Sequence, residues 1–493
     1  MAKKAIKSFY EIIERTAEKK PEKQSFFYRT KSGKFKGRSF GEMKDIIDRL
    51  IAGLIWKGVK PQDKVLLLCD PSPNWIITDL AIVASGAVSV PRGTDVTDED
   101  IEYIVNHADC KIALVQHEKD RERLLAMQDK ISALEDIYVI EDEERMLVGG
   151  DHGIRNLLRR GRGQLEEDPK CIEKRSKEFS PNDLATLIYT SGTTGAPKGV
   201  MLNQAGWIQS IRAATDRVEV LYDDKIMSLL PPWHVLERII EYLVLYHGLE
   251  FLISERTSIR DDLSAFNPDI FPSVPRIWES VYSGLNNKLK QKSPIARGLF
   301  AAAVKVGGWW RYWRAILFDF DTQVKKKFFL VNIVRRLFAV VMVLVVLPMR
   351  ILTSWIFGPV RKALGTNLRL SVAGGSALPA VVDQFFSAVG ITVVEGYGMT
   401  ETSALISTRP TSKPTAGTVG IPINGYELKL KDDQGTELAQ WDSLNGPTKK
   451  MAGSKGTLWV KSDQILQGYY KRDELNDVVF DSDGFFTSAR YIS

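Results

Sequence analysis

The stretch "IYTSGTTGAPKGVM", residues 188–201, decides how the rest of the chain reads. A glycine- and hydroxyl-rich loop ends in a lysine, straight after an apolar run of strand length. Gly192 and Gly195 open backbone conformations closed to other residues. Successive N–H groups in such a turn form an anion-binding nest. Ser191, Thr193 and Thr194 add hydroxyl donors, Lys198 adds a mobile positive charge, and Pro197 fixes the chain direction just before it. The Walker loop reads G-x-x-x-x-G-K-[ST]. Here Lys198 follows Pro197 and precedes Gly199, so this loop lies outside that class. It projects from the carboxyl end of a strand, where open α/β sheets bind ligands. Such a loop suits a triphosphate that is being cut at one of its phosphates.

Outward from the loop, short apolar runs alternate with amphipathic stretches. "KVLLLCD" (64–70), "KIALVQ" (111–116), "DIYVIEDE" (136–143), "LEFLIS" (249–254), "NLRLSVAGGS" (367–376) and "ITVVEGYGMTE" (391–401) are strand-length and bounded by Gly, Pro or Asp. Between them, "FGEMKDIIDRLIAGLIWKG" (40–58) spaces apolar residues by three and four and closes on Gly58, as a helix does. The alternation predicts a layered α/β fold with mostly parallel sheets. "GYELKLKDD" (425–433) and "KGTLWVKSDQILQGYY" (455–470) change style and predict a small β subdomain. The charged, turn-rich "RNLLRRGRGQLEEDPK" (155–170) reads as a solvated connection. The expected division is an α/β core over 1–420, a β subdomain over 421–486 and a short tail over 487–493.

Composition is that of an ordinary globular chain: 493 residues, 44% hydrophobic and 26% charged. A net charge of +6 favours acidic partners such as phosphates, anionic lipid or an acidic carrier protein, and no nucleic-acid partner is expected. Cys69, Cys110 and Cys171 lie too far apart for a metal spacing or a disulfide framework, which points to a reducing cytosol. The basic N-terminus lacks the apolar core of a signal peptide.

Residues 307–362 stand apart. "GGWWRYWRAILFDFD" leads through a basic stretch, Lys325–Lys327 included, into "FFLVNIVRRLFAVVMVLVVLPMRILTSWIFGPVRK". The uninterrupted apolar run, Phe338 to Leu347, is shorter than the ~20 residues a spanning helix needs. Arginines and tryptophans at its edges predict a helix pair lying in a membrane interface. A buried helix hairpin and a transmembrane span are the alternatives.

The opening loop resembles the signature of the adenylate-forming superfamily, which includes acyl-CoA synthetases and acyl–acyl-carrier-protein synthetases. "LLPPWHVLER" (229–238), "SVAGGSALP" (371–379), "VVEGYGMTET" (393–402) and "GTLWVKSDQILQGYY" (456–470) resemble the family's later motifs, in its order. The resemblance implies a two-step reaction. A carboxylate attacks the α-phosphate of ATP to give acyl-adenylate and pyrophosphate. A thiol, of coenzyme A or a carrier protein's phosphopantetheine, then takes the acyl group. It implies that Thr190, Ser191, Gly192, Thr193, Thr194 and Gly195 hold the β- and γ-phosphates with Lys198. Thr400 would touch the α-phosphate and Glu401 would bind Mg²⁺, a cation that prefers carboxylate oxygen. Gly374, Gly375 and Ser376 with Gly396, Tyr397 and Gly398 would form the adenine slot, Tyr397 stacking on the base. His234 would lie beside the substrate carboxylate. The insert and the "PPWH-x-x-ER" pattern look most like the long-chain branch. A long-chain fatty acid and a site on the inner face of the membrane, reached from the cytoplasm, are therefore expected.

The pattern breaks at the end. Where the resemblance calls for T-G-D, this chain has Ser488, Ala489 and Arg490. Guanidinium only donates, so it does not copy a carboxylate that accepts from ribose hydroxyls. The family's small lysine-bearing C-terminal domain is expected to be absent from this sequence, through a frame change or truncation or because the chain is naturally short. A naturally short chain suggests an alternative function, a non-catalytic membrane-associated protein that binds nucleotide or fatty acid.

Overall fold

Strand and helix alternate as the apolar runs predict, across the residues that the computed structural model describes: 6–190, 196–321, 329–449, 453–487 and 491–492. β1 (Gln24–Arg29) and β2 (Phe35–Ser39) pair as a hairpin near the N-terminus. β3 (Lys64–Leu68), β4 (Val88–Arg92), β5 (Ile112–Val115), β6 (Asp136–Val139), β7 (Leu184–Thr190) and β8 (Lys198–Asn203) build one sheet in the order β6-β5-β3-β4-β7-β8. All its pairs are parallel except β7–β8. β3 is buried from Val65 to Leu68 and β5 along its whole length, the near-continuous apolar pattern of a sheet covered on both faces.

A second layer combines β9 (Lys225–Ser228) and β10 (Glu250–Ile253) with the first hairpin, in the order β2-β1-β10-β9. Parallel bridges through Ile270 and Ser273 carry it on to β11 (Leu370–Ala373) and β12 (Thr392–Tyr397). Two short antiparallel strands, β13 (Ser407–Thr408) and β14 (Ile421–Pro422), close its edge. Near the C-terminus β15 (Glu427–Lys431), β16 (Glu437–Asp442), β17 (Gly446–Lys449), β18 (Gly456–Lys461) and β19 (Tyr491–Ile492) form an antiparallel sheet.

Helix α1 (Phe40–Lys57) shows how local sequence sets an element. Ser39 and Glu42 make a reciprocal capping box at its start, and Gly58 takes the left-handed conformation that ends it. Phe40, Met43, Ile47, Leu50 and Leu54 recur at three and four, and all are buried. Each such side chain contributes roughly 1.5–3 kcal/mol relative to an exposed one. The neighbouring α2 (Pro73–Ala84) is buried along its whole length.

The solvated connection expected at 155–170 is instead largely helix. α3 (Ile154–Glu167) packs along α1. A Cβ at Gly161 would lie 1.8 Å from the Arg49 carbonyl oxygen, and one at Gly53 would lie 2.3 Å from that of Leu157. The two glycines therefore let the backbones touch. The arginines and glycines that suggested a turn occupy the outer face and the contact line of one amphipathic helix; Ile154, Leu157, Leu158 and Gly161 form its buried stripe.

α4 (Val235–His247) runs through the main core between the sheets. The insert is a pair of packed helices, α5 (Pro294–Leu317) and α6 (Phe329–Ile356), with Trp313 and Phe338 in edge contact at 5.3 Å. The ten-residue run underestimates α6, which spans 28 residues and passes through Pro348. Its buried residues, Ala339, Val346 and Thr353, repeat every seventh position on one stripe. Leu330, Val334, Leu337, Leu344, Leu352 and Trp355 are all more than 60% exposed, so a buried hairpin is not what this is. Among the described residues it is the one helix long and apolar enough to cross a membrane, by length and composition. α5 in turn rests on α7 (Ala380–Val389), where Gly307 meets Ala388.

Candidate functional site

The signature loop joins two antiparallel strands. Thr190 at the end of β7 pairs with Lys198 at the start of β8. Strand thus leads to strand here, where a Walker loop leads into a helix. Ser191, Gly192, Thr193, Thr194 and Gly195 lie outside the described residues.

Lys198 does not stand alone. Residues 467–470 run alongside β8: Met201 N donates to Gly468 O at 3.1 Å, Gln467 N to Met201 O at 2.9 Å and Tyr470 N to Gly199 O at 2.8 Å. This seats the Tyr469 ring with its centroid 5.5 Å from the Lys198 ammonium. The Tyr469 hydroxyl donates to Glu401 Oε1 at 2.8 Å, and Leu466 N donates to the Glu401 carbonyl at 2.7 Å. Three stretches far apart in sequence therefore meet at Lys198, Tyr469 and Glu401.

Glu401 sits in the 3₁₀ turn Thr400–Thr402, which follows β12. Glu401 Oε2 and the Thr400 hydroxyl have no hydrogen-bond partner among the described residues, so both have capacity for a ligand. No group of three or more His, Cys, Asp or Glu side chains able to hold a metal by themselves occurs among those residues. A lone half-exposed carboxylate fits Mg²⁺ that keeps water and phosphate oxygens as its other ligands.

β11 and β12 are parallel neighbours with Ala373 opposite Glu395, so the residues that follow, Gly374–Ser376 and Gly396–Gly398, emerge side by side. A Cβ on Gly374 would lie 3.3 Å from Leu236 and 3.6 Å from the Gly396 carbonyl oxygen, and Gly375 has φ +86°. Gly398 is required by its own turn, because a Cβ there would come within 1.9 Å of the Ala404 carbonyl oxygen. Tyr397 is half-buried at the end of β12.

Leu236 belongs to the first turn of α4, and His234 caps that helix. The "PPWH" segment thus abuts the Gly374 loop. Burial, then the positive charge of Arg92, holds the His234 imidazole below the usual histidine pKa, so it is neutral at pH 7. The residue keeps solvent-exposed surface and its ring has no hydrogen-bond partner among the described residues. Trp233 next to it packs on Gly93, where a Cβ would fall 2.3 Å from the indole.

Two buried charge networks support these loops, and the sequence reading missed both. Arg238, fully buried, bonds Asp79 Oδ1 at 2.5 Å through Nη2 and the Tyr242 hydroxyl at 2.8 Å through Nε. The Tyr242 hydroxyl donates to Asp79 Oδ2 at 2.6 Å and Ser89 Oγ to Asp79 Oδ1 at 2.7 Å. Beside them, burial pushes the Glu237 carboxyl up to about 8, and burial followed by the Glu237 charge raises Glu241 well above the carboxylate range. An Asp alone in the apolar helix "PNWIITDLAIVA" was the available signal. In the second network Asp383 of α7 accepts two bonds from Arg311 of α5, both 3.0 Å, and one from Arg409 at 3.0 Å. Arg409 also pairs with Glu395, whose Oε1 accepts from Leu378 N at 2.8 Å. Glu395 directly precedes the Gly396–Gly398 turn.

Known proteins resemble this chain in sequence and in fold. The family model for the AMP-binding enzyme matches residues 13–470. The chain is 30% identical over 458 residues to probable acyl-activating enzyme 16, chloroplastic, of Arabidopsis thaliana, covering 90% of this chain and 62% of that protein. It is 28% identical over 457 residues to the long-chain-fatty-acid–[acyl-carrier-protein] ligase AEE15, chloroplastic, of the same plant, covering 90% and 61%. It thus spans about three fifths of the length of these relatives. In fold it superposes on the N-terminal domain of FACL13 from Mycobacterium tuberculosis with a TM-score of 0.68 at 18% identity, covering 99% of this chain and 96% of that one. A long-chain-fatty-acid-CoA ligase, FadD1, from Archaeoglobus fulgidus also gives 0.68 at 18% identity, covering 98% and 81%. With the matched segment running from residue 13, ahead of β1, to the tyrosine pair beside β8, the chain belongs to the AMP-binding enzyme family.

Proposed function

We propose that this chain carries out, or forms most of an enzyme that carries out, the ATP-dependent activation of a long-chain fatty acid to its acyl-adenylate, with a thiol as the later acyl acceptor. The observation that carries the reading is the meeting of Lys198, Tyr469 and Glu401 at the mouth of the β7–β8 loop. Lys198 and the loop stabilise the negative charge that grows on the departing pyrophosphate, the largest electrostatic demand of the step. Glu401 would hold Mg²⁺, which would supply charge to neutralise phosphate when bound. Thr400 orients the α-phosphate. The adenine lies between the Gly374–Ser376 and Gly396–Gly398 turns with Tyr397 against its face. Neutral His234 is available to donate to or accept from the fatty acid's carboxyl group, and Trp233 supports it from the side.

The names of the similar proteins support a long-chain acid and leave both thiols, coenzyme A and the phosphopantetheine of a carrier protein, as acceptors. The exposed apolar face of α6 supports uptake of the acid at the cytoplasmic surface of a membrane. The test is isotope exchange of pyrophosphate into ATP. Exchange stimulated by palmitate is expected; exchange with amino acids or aryl acids but not palmitate would overturn the substrate, and no exchange with any acid would overturn the adenylation.

A further inference from the structure

A cavity of about 190 Å³ opens where α5, α6 and α7 meet, lined by Trp310, Arg311, Arg314, Phe320, Arg350 and Asp383 among others. Its charges do not balance. Asp383 already accepts from Arg311 and Arg409. The Arg314 guanidinium lies 5.6 Å from the centroid of the Trp310 ring and 5.7 Å from that of Phe318, and it meets no carboxylate among the described residues. Arg350 Nη1 is buried without a hydrogen-bond partner. Arg361 adds a further positive charge nearby and is committed to the carbonyls of Thr366 and Leu368. Asp319 and Asp321 are paired with Arg336 and Arg335, and residues 322–328 include no acid. Arg314, exposed at the rim, and Arg350, half-buried, thus line one cavity with no carboxylate of their own, and the buried Arg350 Nη1 is costly to leave unpaired.

We propose that this cavity binds a phosphate group, supplied by the headgroup of an anionic phospholipid. Guanidinium groups match phosphate oxygens with paired, charge-assisted hydrogen bonds. The source follows from position. Arg350 lies on α6, flanked by Ile351, Leu352 and Trp355, which are all exposed. A lipid seated there lays its acyl chains along that apolar face while its phosphate enters the cavity, and Trp310 sits at the boundary as interfacial tryptophans do. The proposal rests on the lipid-surface part of the reading above and is independent of the adenylation chemistry.

The test uses the full chain and two vesicle types, phosphatidylcholine alone and an equimolar mixture with phosphatidylglycerol. Co-sedimentation of the wild type is expected to favour the mixture, and each arginine that is lost is expected to remove about fivefold of that preference. Arg314→Gln together with Arg350→Gln should bind phosphatidylcholine as the wild type does and lose the preference. Arg314 is exposed, so Arg314→Gln alone is the variant that keeps the fold, and it should lose part of the preference. Unchanged preference in both variants overturns the site. Equal wild-type binding to both vesicles overturns the headgroup site and leaves the lipid-surface reading standing; binding to neither overturns both. A third arm adds inorganic phosphate and follows thermal stability. Stabilisation of the wild type but not of Arg314→Gln, without any vesicle preference, would reassign the cavity to free phosphate and overturn the headgroup. Palmitate-dependent pyrophosphate exchange in the same samples reports separately on adenylation.

Discussion

The Tyr469 hydroxyl donates to Glu401 Oε1 at 2.8 Å across 68 residues of sequence. One oxygen of the carboxylate is thereby fixed and the other left for a ligand. Tyr469→Phe removes the donor and keeps the ring beside Lys198. Loss of a hydrogen bond to a charged group is worth about 1.5 kcal/mol or more, so kcat/KM for ATP in pyrophosphate exchange is expected to fall about tenfold. The melting temperature should hardly move. A normal rate in this variant would show that Glu401 needs no positioning.

Lys198→Ala and Glu401→Gln remove charge where the phosphates would develop it. Each is expected to cut acid-dependent exchange by about a hundredfold or more. Neither side chain is buried, so far-ultraviolet circular dichroism should match that of the wild type. Magnesium titration separates the two, because the apparent requirement should rise in Glu401→Gln.

Asp79 and Arg238 stabilise the core only as a pair. Arg238→Met leaves a buried carboxylate uncompensated and is expected to cost about 3–5 kcal/mol. Adding Asp79→Asn should recover part of that loss. Denaturant melts of the two single variants and the double variant check it; additive losses would mean the two side chains act independently.

Gly161→Ala tests the contact between α1 and α3. Its methyl group would press on the Arg49 carbonyl, and both sides of that contact are backbone. A destabilisation of about 1–3 kcal/mol is expected, although alanine favours helix over glycine. Gly163→Ala, two residues on, meets nothing within 4 Å and should stabilise slightly. Equal effects at both positions would contradict the close approach.

Glu237 sets a pH dependence. Its carboxyl is raised from 4.5 to about 8 in the folded chain. Below about 4.5 the folded and unfolded forms are both protonated, and the full stability is present. Between that point and about 8 the unfolded form ionises first, so stability falls as pH rises. His247 works on the acid side. Burial pushes it down from 6.5 to about 4, and stability is lost as pH falls through that window. Glu237→Gln should therefore flatten the decline in melting temperature between pH 6 and pH 8. Glu241 is raised too and should keep part of the slope. An unchanged slope would mean that Glu237 is ionised in the core.

Much of this was legible because it is local. Lys198, Glu401 and the glycine turns lie in short motifs that the family resemblance picks out, and the parallel sheets follow from strand-length apolar runs. Three things were not legible. The arginines of 155–170 hid an amphipathic stripe, since a glycine on a helix contact line looks the same in sequence as a glycine in a turn. Pro348 interrupted the apolar run without interrupting the helix. The Asp79–Arg238 pair joins positions 159 residues apart, on two helices that only the folded core brings within reach of the long arginine side chain. Tyr469 stood inside a recognised motif, yet its role depends on where β8 lies. Gly398, expected to admit adenine, is also demanded by the Ala404 backbone, so its identity alone does not report on the nucleotide.

The ladder Arg311–Asp383–Arg409–Glu395 gives the molecule a stiff linkage. α5 grips α7 through a two-pronged clasp, and α7 grips the strand whose end carries Tyr397. Each rung is short, charged and shielded from water, so it resists stretching far more than an apolar contact would. A tilt of the outer hairpin therefore has two outcomes: the clasp opens, or the far end of β12 moves with it. Pressure on the outer surface and the position of the turn that ends β12 are geared together, like a pedal and its cable.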